Sequence, residues 1–261
     1  VRIRFLVDGL PLGIEIAAAH VPIMAPEQIE DHLDSLKNVH RDVPERHGGI
    51  RNLLDDIWRY LNDDEKRVLR RFAIFPGDFS LDAALSIGET TANVLVSLIN
   101  KSLLQKRGDR YDLHQIVWRY LLEKLENANE RDQAAAAHAN FYRAWLEPLD
   151  KEATGPRHDR FSAIDQEYHN LWSGLTNSET AQRLYYTVAL SNYWSIRGFH
   201  FHECIDLLQD LTQTPVDDHQ LYTRALMRLG VMHFNLGAYD DARQALKAST
   251  DAGIDRYPRY H

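Results

Sequence analysis

Leu103-Leu104-Gln105-Lys106-Arg107-Gly108-Asp109-Arg110-Tyr111-Asp112-Leu113-His114 is the stretch that decides the fold. Leu103 to Lys106 and Tyr111 to His114 alternate in the manner of strands, and Arg107-Gly108-Asp109-Arg110 between them reads as a hairpin turn in which glycine is free to take a positive φ. Working upstream, Thr90 or Thr91 caps a helix carrying Val94, Leu95, Leu98 and Ile99, and Ser80 caps another from Leu81 to Ile87. Before these, Phe72, Ile74 and Phe75 run into a Pro76-Gly77-Asp78 turn. Asn62 with Glu65 three residues later predicts a capping box that opens a helix. Leu53, Leu54, Ile57, Trp58 and Leu61 set the first amphipathic face, and a last helix runs to Leu125.

Residues 50–125 therefore read as helix, helix, short strand, helix, helix, hairpin, helix, the order of a winged helix. The helix that would enter a DNA major groove, Thr90 to Lys101, holds a single charge, Lys101, and only Asn93 and Asn100 offer amides to base edges. Residues 1–49 carry five Lys/Arg against eight Asp/Glu, residues 50–128 twelve against twelve, and residues 129–261 thirteen against eighteen. Binding to nucleic acid draws on phosphate neutralisation by Lys and Arg, so no direct nucleic-acid binding is expected of a chain with no basic segment and a net charge of −8.

The wider composition is that of a folded chain: 261 residues, 44% hydrophobic and 26% charged, are enough for two or three small domains with real cores. The one cysteine, Cys204, allows no intrachain disulfide and no thiolate zinc cage, and it fits a reducing, cytoplasmic setting. No apolar run is long enough to span a membrane and no signal-peptide pattern occurs, so no membrane partner is expected.

Near the start, Gly9-Leu10-Pro11-Leu12-Gly13-Ile14-Glu15-Ile16-Ala17-Ala18-Ala19 predicts a buried helix opened by Pro11, which has no N–H to satisfy in a first turn. The polar linker Val39-His40-Arg41-Asp42-Val43-Pro44-Glu45-Arg46-His47 follows. Together with the winged-helix pattern and Leu113-His114-Gln115, these segments resemble, over residues 1–125, the NB-ARC modules of STAND-class signalling ATPases, as in large bacterial transcription regulators. That resemblance implies that Gly9, Leu10 and Pro11 pack beside the adenine of ADP or ATP, and that His114 approaches the β-phosphate. Gln115 stands where the family usually has an acid, which puts the bracing of that turn in doubt. No Gly-x-x-x-x-Gly-Lys-Ser/Thr run is present, so no ATP hydrolysis and no cofactor are expected of this chain by itself; ADP or ATP would bind only with an upstream nucleotide-binding core. A beginning at Val1, inside a helical pattern, leads to the expectation of a piece of a longer protein.

From about Glu130 onward the chain reads as paired helices. Ala134 to Leu146 carries His138, Phe141, Tyr142 and Trp145 on one face, and Asp165-Gln166-Glu167-Tyr168-His169-Asn170-Leu171-Trp172 opens another helix, resembling a Glu-x-x-Asn-Leu segment that often begins the helical repeats of these regulators. Leu229-Gly230, Gly237, Tyr239, Ala242 and Leu246 fall at tetratricopeptide positions, with a weaker copy from Tyr185 to Leu211 around Gly198. Such units stack into a solenoid, the expected site for a protein or small-molecule signal. His200-Phe201-His202-Glu203-Cys204 lacks metal-ligand spacing, because residues two apart diverge on a helix. Tyr185, Tyr186, Tyr193 and Trp194 read first as inter-helix core and second as the lining of a groove.

The expected fold is mainly α: residues 1–49 as the end of a helical domain, 50–128 as a winged helix with a small β-hairpin, and 129–261 as tetratricopeptide-like repeats forming an α-solenoid. The expected function is the regulatory and sensor part of a nucleotide-switched regulator. A nucleotide-independent protein-interaction adaptor is the alternative, and a DNA-binding regulator the third reading.

Overall fold

The computed structural model describes residues 45–151, 157–213 and 217–254, together with Ile14 and Ala18. Gly9, Leu10, Pro11 and most of the Val39–His47 linker lie outside the described residues. The fold is mainly helical with one small three-stranded sheet. The chain divides into two compact units, Val1–Ala134 and Ala135–His261.

In the first unit the helices are α1 (Glu45–Tyr60), α2 (Asp63–Phe72), α3 (Leu81–Gly88), α4 (Ala92–Asn100) and α5 (Gln115–Asn127), with strands β1 (Phe79–Ser80), β2 (Gln105–Arg107) and β3 (Arg110–Asp112). α1 begins before residue 50, so Glu45, Arg46 and His47 of the expected linker are already helical. Local chemistry sets the boundaries. The capping box at α2 is complete: Glu65 N–H donates to Asn62 Oδ1 at 2.9 Å, and Asn62 N–H donates to Glu65 Oε2 at 3.1 Å. Ser80 Oγ accepts from Ala83 N–H to open α3, whereas Thr91 occupies the N-cap of α4 with no side-chain cap bond.

The sheet has the order β1-β3-β2, all antiparallel, with Phe79 opposite Tyr111 and Lys106 opposite Tyr111 on its other edge. The hairpin is shorter than the alternation suggests. Arg107 pairs with Arg110 across a two-residue turn, Gly108-Asp109, in which Gly108 takes φ +63°. Leu103 and Leu104 fall outside the ladder because both backbone N–H groups donate to Leu98 O and so close the end of α4, with Ser102 at φ +58° making the reversal. At the other end, His114 leaves the strand to cap α5.

Leu69, Phe72, Phe75, Phe79, Ile87, Leu95, Leu98 and Leu104 are fully buried. Phe75 and Phe79 stack at 3.9 Å between centroids, with Phe72 at 5.0 Å from Phe79. Long-range ion pairs staple this core. Arg70 meets Glu130 through two 2.8 Å bonds, Arg110 meets Asp78 at 2.9 Å, and Lys101 meets the buried Glu65 at 2.5 Å. Arg67 and Arg71 donate to the carbonyls of Ile87, Gly88 and Glu89, filling acceptors that the end of α3 leaves open.

The second unit is entirely helical among its described residues. α6 (Arg131–Lys151) begins upstream of the division, followed by α7 (Arg157–Thr176), α8 (Thr180–Arg197), α9 (Phe201–Gln213), α10 (His219–Asn235) and α11 (Tyr239–Ile254). α8 with α9 and α10 with α11 form tetratricopeptide-like pairs joined by short turns, with Gly198 at φ +78° and Gly237 at φ +77°. Small residues sit where helices cross: a β-carbon on Gly230 would lie 2.6 Å from Leu246 Cγ, and Ala242 is buried beside it.

The α6 face is narrower than its aromatic content suggests: His138, Tyr142 and Leu146, four residues apart, are buried, while Phe141 and Trp145 are half-buried. Asp165 to Trp172 lies in the middle of α7 rather than at its start. Within that segment the buried Glu167 accepts from Tyr142 Oη at 3.1 Å and from Asn170 Nδ2 at 2.8 Å, a polar link between α6 and α7.

Candidate functional site

Two places carry chemistry, one in each unit. The first is His114, which follows β3 and caps α5. Its Nδ1 accepts from Ile116 N–H at 3.3 Å. An accepting Nδ1 assigns the ring proton of the neutral imidazole to Nε2, leaving that nitrogen as a donor. Among the described residues Nε2 has no hydrogen-bond partner, and the side chain is half-buried. Gly9, Leu10 and Pro11 lie outside the described residues, so His114 is described without them.

The helix that would read DNA, α4, offers little for the purpose. Asn93 and Asn100 are exposed, Val96 between them is 55% exposed, and Lys101 at its end is held by Glu65. Burial opposes ionisation of Glu65, but hydrogen bonds from Lys101, Ser97 and Asn62 N–H outweigh it and hold the carboxyl below its ordinary range. On the hairpin, Arg110 is buried against Asp78, and Arg107 faces Asp112 at 3.9 Å.

The second place lies in the second unit and was not anticipated from sequence. A cavity of about 200 Å³ opens between α6, α7, α8 and α10. Leu146, Phe161 and Ile164 form its apolar side, and Asn192, Arg160 and Arg228 its polar side. Asp150 also lines it, but both carboxylate oxygens already accept from Arg224 at 2.7 Å. Arg160 donates to Leu149 O at 3.2 Å. Among the described residues Arg228 and the Asn192 amide have no hydrogen-bond or ion-pair partner, and Arg228 Nε is buried. Burial, with Arg224 one turn away, pulls the Arg228 pKa below the ordinary arginine range. Arg224 and Arg228 four apart on a largely apolar helix were the available sequence signal.

The aromatic set behaves as core: Tyr186 and Trp194 are fully buried, Tyr193 nearly so, and Tyr185 half-buried. Tyr193 alone touches the cavity, and its hydroxyl donates to Asp165 at 2.5 Å. His200, at φ +56°, stacks on Trp172 at 4.9 Å. Cys204 is buried, and burial pushes its thiol up to about 12, a range in which it is no nucleophile. Among the described residues no group of three or more His, Cys, Asp or Glu could hold a metal ion, and no helix is long and apolar enough to cross a membrane.

No protein-family model matches the chain. Over 259 residues it is 29% identical to a Mycobacterium tuberculosis protein named "Putative HTH-type transcriptional regulator", an alignment that covers 93% of this chain and 26% of that protein. The chain thus spans about a quarter of that relative's length. An uncharacterised protein of the same organism is 30% identical over 150 residues, half of this chain and 37% of that one. Among solved structures, a STAND protein with a tetratricopeptide repeat sensor from Pyrococcus horikoshii aligns with 95% of this chain and 42% of its own, at 17% identity and a TM-score of 0.48.

Proposed function

We propose that this chain is the regulatory and sensor part of a nucleotide-switched STAND-type transcription regulator and does not itself hydrolyse ATP. In this reading residues 1–49 end an NB-ARC helical domain, residues 50–128 are the winged helix that gates the ADP/ATP state, and residues 129–261 are sensor repeats. The observation that carries it is His114. The order of helices and hairpin delivers this side chain to the start of α5 with its Nε2–H donating to no partner among the described residues, and a helix N-terminus already favours a phosphate. The likeness to a protein named as a transcriptional regulator supports the regulatory part of the reading.

The nucleotide-binding domain upstream would supply the phosphate loop. Gly9, Leu10 and Pro11 would flank the adenine, and His114 would donate to the β-phosphate of ADP. A protein or small molecule bound to the repeats would favour the open state by binding it better than the closed one. A DNA-reading role is disfavoured because Lys101 is committed to Glu65 and Arg110 to Asp78. The cytoplasm is the setting this reading calls for.

Calorimetry with ADP tests the proposal, comparing this chain with the protein extended upstream through its nucleotide-binding core. Tight binding by the extended protein and none by this chain is expected. No binding by either would leave a nucleotide-independent adaptor as the better account.

A further inference from the structure

We propose that the cavity between α6, α7, α8 and α10 is a binding site for a small organic monocarboxylate, with Arg228 as its anchor. The inference rests on the reading of the second unit as a sensor and names the chemistry of what it senses.

A guanidinium withdrawn from water without a partner is costly, and a carboxylate is the planar group that its paired N–H donors fit. Arg228 is part-way to that position: the residue is half-buried, its Nε is fully buried, and among the described residues it meets neither a carboxylate nor a carbonyl. The neighbouring charges fix the valence of the guest. Arg224 is neutralised by Asp150, and Arg160 donates to Leu149 O and has a further partner, so Arg228 is the cation at the cavity with no contact of its own among the described residues. A dianion such as phosphate would bring a second charge with no free partner and would lie near Asp150.

The rest of the wall selects an organic body. Leu146, Phe161 and Ile164 offer an apolar side, and the unpartnered Asn192 amide offers one donor pair and one acceptor to a hydroxyl or similar substituent. A cavity of about 150 Å³ holds benzene, so about 200 Å³ accommodates an acid of roughly six to ten non-hydrogen atoms. The expected guest is therefore a compact acid with a short apolar body and a hydrogen-bonding group opposite the carboxylate.

The test is calorimetry and thermal unfolding of this chain with lactate, benzoate and 4-hydroxybenzoate, with benzamide as a neutral analogue and inorganic phosphate as a bare anion. At about 10 mM, at least one of the three acids is expected to raise the unfolding midpoint by about 2–4 °C. Neither benzamide nor phosphate should do so. Arg228→Met should weaken acid binding at least tenfold while unfolding at or above the wild-type temperature, which separates loss of the anchor from loss of the fold. Asn192→Ala should weaken 4-hydroxybenzoate several-fold and leave benzoate unchanged. Equal binding of benzamide, preference for phosphate, wild-type affinity in the Arg228→Met variant, or no response to any of the acids would each overturn the assignment. ADP release from the upstream-extended protein separates the two readings. An acid that binds through Arg228 without altering ADP release leaves the cavity assignment standing and removes the sensor role; absence of acid binding removes the assignment whatever ADP does.

Discussion

The two units solve the burial of polar groups differently. In the first, cations withdrawn from water end on carboxylates or helix-end carbonyls: Lys101 on Glu65, Arg70 on Glu130, Arg110 on Asp78, and Arg67 and Arg71 on the end of α3. In the second, aromatic contacts and close helix crossings are joined by the Glu167 link and the Arg224–Asp150 pair, and a cavity-lining arginine and amide are left without partners among the described residues. Saturated polar groups specify a single arrangement, whereas a buried donor without a partner carries a desolvation cost that a bound group can relieve. The first unit closes its buried cations on partners and leaves His114 Nε2 as an open donor, whereas the second leaves Arg228 and Asn192 without partners, among the described residues, at the wall of a cavity.

The most severe way to break this contrast is to remove the centre of the first unit. Phe79 is fully buried against Phe72, Phe75 and Tyr111, so Phe79→Ala is expected to cost about 3–5 kcal/mol. Hydrogen exchange of the α2, α3 and α5 amides measures the loss. Protection unchanged in those helices would show that the aromatic cluster is not the first unit's core.

Acid sharpens the comparison at the next scale. Burial pushes the His138 pKa down to about 4 from an ordinary value near 6.5, with the hydrogen bond to Asn170 opposing in part. The native state therefore resists a proton that the unfolded chain accepts. The stabilisation is complete above pH 6.5 and falls away as pH drops toward 4, by up to about 3 kcal/mol. Glu65 and Glu130 in the first unit are held below the ordinary carboxylate range, so their contribution is lost only as pH falls below about 4.5. Between pH 6.5 and 5, exchange should quicken in α6 and α7 while α2 and α4 stay protected, and His138→Phe should abolish that dependence. Equal acid sensitivity in both sets of helices would contradict the assignment.

Much of the first unit was legible because its signals are local. Asn62 with Glu65, Ser80 and Gly108 each dictate a backbone event within three residues of themselves. The strand limits were not legible, because Leu103 and Leu104 spend their N–H groups on Leu98 at the end of α4, a competition that alternation does not reveal. In the second unit Gly230 and Gly237 announced a helix pair, yet the start of α7 was misplaced because Glu167 and Asn170 read as an opening and act as a buried mid-helix link to Tyr142. The cavity was invisible for a different reason. Arg228 and Asn192 meet only when α8 and α10 are packed, and neither stands in a motif.

At the small end of the scale lies Glu123. Its pair with Arg51 is well formed but about half exposed on both sides, so Glu123→Gln should change stability by no more than about 0.5 kcal/mol in chemical denaturation. A loss several times larger would mean that surface pairs, and not only the buried ones, staple the first unit.

The central claim is that His114 touches nucleotide. The measurement is ADP release from the upstream-extended protein, wild type against His114→Asn, a change that keeps an N-cap acceptor for α5 while removing the imidazole donor. A hydrogen bond to a charged group contributes about 1.5–3 kcal/mol, so release should quicken at least about tenfold with the unfolding midpoint unchanged. ADP release at the wild-type rate from a folded His114→Asn protein would contradict the account and leave His114 as the cap of α5.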